Sequence, residues 1–183
     1  MPPIFLDTCV LKYRYIKCPR FRAHRQKVNG LIGNRYNTTY IADTSILELP
    51  SALGGYCREN NVSLGEYDAM DGRFMQDIAD GRLIVRPANK RLYVLRARNL
   101  LRLGGVFHRR ALGSADALIA TCALDLAHEL KERVRFFTSD QKLKGLLPLI
   151  GAFTANMDIV YIQAPPPTTW PVRPATLPKS ATP

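Results

Sequence analysis

Four acidic side chains stand where predicted strands end or predicted helices begin. Asp7 follows the apolar run of residues 4–6, and Asp140 follows a second apolar run that ends in two hydroxyl side chains. Glu48 and Asp116 fall in the first turns of two predicted helices. In a parallel α/β sheet these positions share one edge, at the carboxyl ends of the strands, where ligands bind. We therefore expect the four carboxyl groups to converge on one site.

Carboxylates gathered at one edge repel one another, and each raises the pKa of its neighbours. A shared cation removes this penalty. Hard oxygen ligands suit Mg²⁺ or Mn²⁺ rather than zinc, and such ions polarise a phosphate and generate hydroxide from water. The four acids thus predict a metal-dependent phosphodiesterase, in which they are both the catalytic and the metal-binding residues.

Each acid also has a purely structural explanation. Asp7 and Asp140 fit helix N-caps, and Asp116 fits an acid that interacts with the helix dipole. The spacing Ser45-x-x-Glu48 fits a capping box, in which the glutamate bonds back to the backbone. The metal-site hypothesis therefore rests on the combination of the four positions.

The elements that would position these acids alternate along the chain. Apolar patterning predicts strands at residues 4–6, 39–42, 83–85, 134–138 and 158–162. Helical spacing predicts helices at residues 8–16, 22–34, from about 45 onward, 64–80, 89–103, 115–131 and 140–150. Alternating strands and helices indicate an α/β fold with a parallel sheet and right-handed crossovers.

The chain divides by composition into two parts. Residues 1–163 have the apolar patterning of a single globular domain, whereas residues 164–183 contain seven prolines and predict an extended, disordered tail. No run approaches the length of a membrane span and no signal peptide is evident, so we expect a cytoplasmic protein without a membrane partner. The four cysteines match no zinc pattern, and Cys9 and Cys122 are interpreted as small core residues.

The net charge of +11 and the pI near 9.8 favour a polyanionic partner. Residues 12–27 contain seven Lys or Arg and no acid, with aromatic residues between them that could stack on unpaired bases. Residues 86–110 are a second basic candidate, and a solvated basic face is the alternative for both. The predicted RNA-binding residues are Lys12, Arg14, Arg20, Arg22, Arg25, Lys27, Arg109 and Arg110.

Four short segments around the acids resemble the motifs of PIN domains. They are Ile4-Phe5-Leu6-Asp7-Thr8-Cys9-Val10-Leu11, Ala42-Asp43-Thr44-Ser45-Ile46-Leu47-Glu48-Leu49, Ala115-Asp116-Ala117-Leu118-Ile119-Ala120-Thr121 and Phe137-Thr138-Ser139-Asp140. The resemblance spans residues 4 to about 162. It implies a Rossmann-like three-layer α/β/α PIN fold with a central, mostly parallel sheet.

The resemblance also implies a metal-dependent nuclease that commonly acts on single-stranded RNA, and the compact VapC-type bacterial toxins are the nearest in character. By position, Asp7, Asp116 and Asp140 would be metal ligands, and Glu48 would bind metal directly or through water. Thr138, with Thr8 and Ser139, would support the acids by hydrogen bonding. The chain departs from the small toxins in its longer segment between Glu48 and Asp116, in Cys9 and in its tail.

The sequence therefore predicts an endoribonuclease in which metal-activated water attacks a phosphodiester in line, leaving 3′-hydroxyl and 5′-phosphate ends. An antitoxin protein and a homodimer are the expected partners besides RNA. One alternative is a catalytically idle PIN-like module that binds RNA or protein. Another is a nuclease that acts on structured nucleic acid or on DNA.

Overall fold

The computed structural model describes residues 2–88, 90–107 and 112–164, which form five strands and eight α-helices. The strands are β1 (Ile4–Leu6), β2 (Thr39–Ala42), β3 (Ile84–Arg86), β4 (Val134–Thr138) and β5 (Met157–Tyr161). The helices are α1 (Thr8–Tyr15), α2 (Arg22–Gly33), α3 (Thr44–Asn60), α4 (Leu64–Ala79), α5 (Arg91–Phe107), α6 (Ser114–Leu130), α7 (Gln141–Leu146) and α8 (Gly151–Asn156). The proposed tail, apart from Ala164, lies outside the described residues, as do Arg109 and Arg110.

All five strands pair in parallel, in the order β3-β2-β1-β4-β5. The chain moves outward from β1 to β2 and β3, and then returns to the other side of β1 to add β4 and β5. This is a doubly wound sheet whose strand order reverses at β1 and β4, the place where such folds bind ligands. The predicted α/β fold with a central parallel sheet is confirmed.

Helices cover both faces of the sheet, so the molecule has three layers. Ile4 and Leu6 of β1 join a core cluster with side chains from α1, α2, α3 and α4, whereas Phe5 joins a second cluster with side chains from α5, α6 and α8. This division follows from the pleat, because successive strand residues point to opposite faces. Burial on both faces explains why β1 is continuously apolar in the sequence.

The pairing of β1 with β4 positions two of the four acids. Leu6 is in register with Phe137, and the backbone N–H of Asp7 donates to the Phe137 carbonyl at 3.0 Å. Asp7 therefore leaves the sheet beside Thr138, and Asp140 follows two residues later. The pairing of β1 with β4 thus places two acids at the carboxyl edge of the sheet, near its centre.

Helix α3 is longer and more regular than its sequence suggests. It runs through Pro50 and through the glycine pair that was expected to weaken it. It ends at Asn61, whose left-handed backbone (φ 53°) lets its N–H bond to the Cys57 carbonyl. Leu49 and Leu53 are fully buried on this helix, so tertiary packing outweighs the cost of proline and glycine, about 1–3 kcal/mol per residue.

Other predicted boundaries are also wrong. Helix α5 continues through Gly104-Gly105 to Phe107, because its packing against α6 offsets their low helix propensity. The predicted helix over residues 140–150 is instead α7, a 3₁₀ turn around Pro148, and α8, since Pro148 has no N–H to continue α7. β3 and β5 are each displaced by one residue from prediction.

No helix in the described ranges combines the length and the apolar character that crossing a bilayer would need.

A buried ion pair joins α1 to α4. The Asp77 side chain is 4% exposed and accepts from Arg14 Nε at 2.5 Å and from Arg14 Nη2 at 2.8 Å. It also accepts from the Tyr15 hydroxyl at 2.9 Å and from Arg82 Nη1 at 3.2 Å. Burial alone would raise the pKa of Asp77, but the hydrogen bonds from Arg14 and Tyr15 hold it below its ordinary value.

We expect Asp77→Ala to reduce the free energy of unfolding by about 3–5 kcal/mol, because it leaves Arg14 half-buried without its partner. Asp80→Ala, which removes a more exposed acid that also pairs with Arg82, is the control and should cost under about 1 kcal/mol. Urea unfolding of both variants measures the difference. Equal losses would show that the Arg14–Asp77 pair contributes no more than a surface ion pair.

Candidate active site

Asp7 is the most deeply buried of the four acids, with 1% of its surface exposed. Its Oδ2 accepts hydrogen bonds from the Thr138 hydroxyl at 2.6 Å and from the Cys9 thiol at 2.8 Å. Burial raises the pKa of Asp7 to about 6, although these two hydrogen bonds lower it in part; the nearby Asp116 raises it further. Asp7 also caps α1, since Oδ1 accepts weakly from the Cys9 N–H at 3.5 Å.

Cys9 is a polar partner of the site, not a simple core residue as the sequence suggested. Its thiol donates to Asp7, and its sulfur accepts from the Ser139 N–H at 3.1 Å. Burial and the Asp7 charge raise the pKa of the Cys9 thiol, which keeps it protonated and able to donate. The Ser139 hydroxyl donates in turn to the Cys9 carbonyl at 3.2 Å. These contacts tie the start of α1 to the end of β4.

Thr138 links the first acid to the fourth. Its hydroxyl donates to Asp7 and accepts from the Asp140 N–H at 2.9 Å. The Asp140 carboxylate caps α7, because Oδ1 accepts from the N–H groups of Lys142 at 2.5 Å and Leu143 at 3.1 Å. The N-cap explanation of Asp140 is therefore correct, and it occupies only one of the two carboxylate oxygens.

Glu48 is held by a short chain of hydroxyl groups. Thr8 Oγ1 donates to Glu48 Oε2 at 2.8 Å and lies 2.9 Å from Ser45 Oγ. Since the single Thr8 proton goes to Glu48, Ser45 must be the donor to Thr8. Ser45 is fully buried and lies within α3, not at its N-cap. The capping-box explanation of Glu48 is therefore wrong, because Ser45 contacts α1 instead.

Asp116 lies at the centre of the electrostatic interactions among the acids. It occupies the first turn of α6, where Oδ2 accepts from the Gly113 N–H at 3.2 Å. Burial raises the pKa of Asp116, and Asp140 raises it further. Asp116 itself raises the pKa values of Asp7 and Glu48, in each case as a smaller cause than burial. Asp116 therefore interacts electrostatically with each of the other three acids.

Three of the four acids line one open cleft of about 470 Å³, which we call the acidic cleft. The residues around it are Asp7, Thr8, Cys9, Lys12, Leu47, Glu48, Ser51, Ala52 and Asp116. Asp140 is not among them, although its charge acts on Asp116. Sequence reasoning missed Leu47, Ser51 and Ala52; the last two follow Glu48 by three and four residues, the spacing of neighbours on one helix face. Leu47 is 80% exposed and forms an apolar margin of the cleft.

The donor atoms of the four acids suit a cation better than the spacing of their side chains does. Within the described parts of the chain, no three His, Cys, Asp or Glu side chains form a compact group for a metal ion. Each acid nevertheless bonds to the protein mainly through one carboxylate oxygen. The other oxygen has no partner among the described residues, apart from the weak backbone contact to Asp7. The site therefore offers four oxygen donors of the kind that Mg²⁺ and Mn²⁺ prefer.

The predicted RNA-binding residues separate into different places. Lys12 lines the acidic cleft. Arg14, Arg22 and Arg25 line a second cleft at the other end of α1. Arg20 packs over the Phe21 ring, with 4.5 Å between its guanidinium carbon and the ring centre. Lys27 is exposed on α2 and lies in neither cleft.

The raised pKa of Asp7 predicts a pH-dependent stability. Folded Asp7 has a pKa of about 6, above its ordinary value of 3.8, so the protonated carboxyl stabilises the fold. This contribution is fully present below about pH 4 and is lost as the pH rises through about 6. Asp7→Asn removes the titration, and we expect the variant to gain on the wild type between about pH 4 and pH 7, by up to about 3 kcal/mol.

Urea unfolding in the presence of EDTA, at a series of pH values, measures this difference without a contribution from metal. Asp68→Asn, an exposed acid on α4, is the control and should follow the wild type at every pH. A stability difference for Asp7→Asn that does not change with pH, or that shrinks as the pH rises, would contradict the prediction.

Two solved structures resemble most of this chain. VapBC2 from Rickettsia felis, bound to a DNA fragment from their promoter, is 19% identical over 79% of this chain and 92% of that chain, with a TM-score of 0.51. FitAB bound to the IR36 DNA fragment is 17% identical over 85% of this chain and 93% of that chain, with a TM-score of 0.52. No family model and no curated protein matches the sequence. At these identities the likeness shows a shared fold, and the PIN fold implied by the sequence motifs is confirmed at that level.

Proposed function

We propose that this chain is a Mg²⁺- or Mn²⁺-dependent endoribonuclease that hydrolyses phosphodiester bonds of single-stranded RNA. The observation that carries the proposal is the arrangement of acids around Asp116 at the carboxyl edge of the sheet. Each acid is fixed mainly through one oxygen, and the other oxygen has no partner among the described residues, apart from the weak backbone contact to Asp7. A basic protein surrounding an acidic cleft suits a polyanionic substrate.

Asp7, Glu48, Asp116 and Asp140 would hold the metal, which supplies charge neutralisation for the phosphate and acidity for the attacking water. Thr138 and Cys9 orient Asp7 by donating to the same oxygen, Oδ2. Ser45 and Thr8 orient Glu48 in the same way through Oε2. The free Oε1 of Glu48 would accept a hydrogen bond from the water that attacks in line, leaving 3′-hydroxyl and 5′-phosphate ends.

Lys12 has a distinct role in this proposal. It is the one cation among the described residues that line the acidic cleft, on the face of α1 that also carries Thr8. A positive charge at this point attracts a phosphate toward acids that would otherwise repel it. Lys12 would therefore bind the scissile phosphate or its neighbour.

A protein partner is part of the proposal. The VapC-type resemblance of the motifs implies that an antitoxin inhibits the nuclease, and the exposed Leu47 beside the acidic cleft is a suitable apolar contact for it. A homodimer is proposed on the same resemblance.

A second candidate is a PIN-like module that binds RNA without cutting it. It is favoured by the cationic cleft at the far end of α1, which contains none of the four acids. This module would need the fold and the positive charge, and the spare oxygens of the acids would have no role in it.

Cleavage of a fluorescent single-stranded RNA in Mn²⁺ separates the candidates. We expect Asp116→Asn to lose about 100-fold or more of the activity, because it removes a proposed metal ligand whose charge interacts with each of the other three acids. Asp68→Asn is the control and should cut like the wild type. Equal cleavage by Asp116→Asn would remove Asp116 from the active site.

The choice of substrates and the analysis of products complete this test. Duplex RNA and single-stranded DNA, offered in parallel, distinguish the proposed substrate from structured nucleic acid and from DNA. Product ends other than 3′-hydroxyl and 5′-phosphate would contradict attack by water in line. Absence of cleavage with every substrate, at full RNA binding, would favour the binding module.

A further inference from the structure

A second cleft, which we call the basic cleft, lies at the opposite end of α1 from the acids. Its volume is about 810 Å³. Helix α1 starts at Asp7 on the carboxyl edge of the sheet and ends at Tyr15, eight residues and about 12 Å further on. Asp77 and Arg82, which also line the cleft, lie just before the start of β3. The basic cleft is therefore at the amino edge of the sheet.

The lining of the basic cleft is strongly cationic. Six of its residues carry positive charge: Arg14, Lys17, Arg22, Arg25, Arg73 and Arg82. Asp77 is the one acid among the described lining residues, and it is already paired with Arg14 and Arg82 and bonded to Tyr15. The positive charge thus exceeds what the protein neutralises within the cleft.

Several of these cations are held in place by groups that do not neutralise them. Arg73 donates to the carbonyls of Ala69 at 3.0 Å and Tyr15 at 3.1 Å, and Arg25 donates to the Ile16 carbonyl at 3.3 Å. Uncharged acceptors fix the guanidinium groups and leave their charge available. A site ordered in this way gives up less side-chain entropy when a ligand binds.

Two cations of the basic cleft have side chains without a partner among the described residues. Lys17 and Arg22 are exposed, and neither side chain makes a hydrogen bond, ion pair or ring contact within the described residues. Arg22 is also the first residue of α2, a twelve-residue helix without a side-chain N-cap and without an acid in its first turn. The amino end of a helix carries partial positive charge. Arginine there is unfavourable unless an anion is nearby.

We propose that the basic cleft is a phosphate-binding site that holds the backbone of the RNA outside the segment being cut. Phosphate is favoured over an acidic peptide by the lining, because guanidinium groups bind phosphate oxygens bidentately. A peptide would also need pockets for apolar side chains, whereas Tyr15, the largest apolar group here, is 1% exposed. The identity of the ligand as RNA rests on the proposed function; the phosphate chemistry does not.

Binding of a fluorescent oligouridylate in EDTA, followed by anisotropy, tests the site separately from metal and cleavage. The variant is Lys17→Ala/Arg22→Ala, which changes two exposed side chains without partners. The matched control is Arg35→Ala/Arg58→Ala, which removes equal charge from exposed positions after α2 and on α3, outside the cleft. We expect the variant to bind about tenfold more weakly, with a salt slope smaller by about 1–2, and the control to change less than about threefold.

Three outcomes would overturn the proposal: unchanged binding by the variant, equal weakening by variant and control, or displacement of the RNA by oligoglutamate at concentrations where tripolyphosphate fails. Displacement of the RNA by tripolyphosphate from the wild type, and the loss of this displacement in the variant, supports a phosphate site. A nucleoside triphosphate is tested in the same assay: stronger displacement than by tripolyphosphate would indicate a nucleotide site instead of an RNA site. If the variant binds RNA weakly but neither it nor the wild type cuts RNA, the nuclease proposal fails and the phosphate site is supported. If the variant cuts RNA normally and binds it like the wild type, the phosphate site fails and the nuclease proposal is supported.

Discussion

A carboxyl group held out of water at the end of β1 is the constraint on which the rest of the site depends. Asp7 can be buried because Thr138 and Cys9 both donate to it. Those donors are in reach because β1 and β4 are neighbours in the sheet, with the Asp7 N–H bonded to the β4 backbone. The order of the strands therefore brings into reach of Asp7 the donors that affect its pKa.

The structural and chemical explanations of the acids are compatible. Asp7 and Asp140 act as N-caps, and Asp116 bonds to the backbone ahead of α6, yet each does so largely through one oxygen. A helix start supplies N–H groups that orient a carboxylate at little cost. Four elements that begin at one edge of the sheet thus bring the acids into one region. The hydrogen bonds that orient the carboxylates also hold them apart.

Much of the fold could be predicted because its signals are local. β1, β2 and β4 were predicted at their observed bounds, since a strand covered on both faces reads as a short apolar run. The errors fall where tertiary packing overrides propensity, as in α3 through Pro50 and in α5 beyond Gly104. The candidate acids could be selected because a strand end or a helix start is visible in sequence.

The missed parts of the site depend on contacts between distant segments. The bond of Ser45 to Thr8 joins residues 37 positions apart, and its local pattern indicated a capping box instead. Cys9 looked like a core residue because its neighbours are apolar, while its polar partners lie across the β1–β4 pairing. The basic cleft combines residues 14–25 with Arg73 and Arg82, and no local pattern brings these segments together.

The shortness of α1 has a consequence for which RNA fragments can be good substrates. The helix spans about 12 Å from the acids at its start to its last residue in the basic cleft, so a fragment that contacts only the acids does not reach this far end. Contacts far from the reacting bond can supply the energy that aligns it, and a truncated substrate then loses turnover as well as affinity. Under the proposed function, RNA chains long enough to contact both clefts would be better substrates than very short oligonucleotides, including the reaction products.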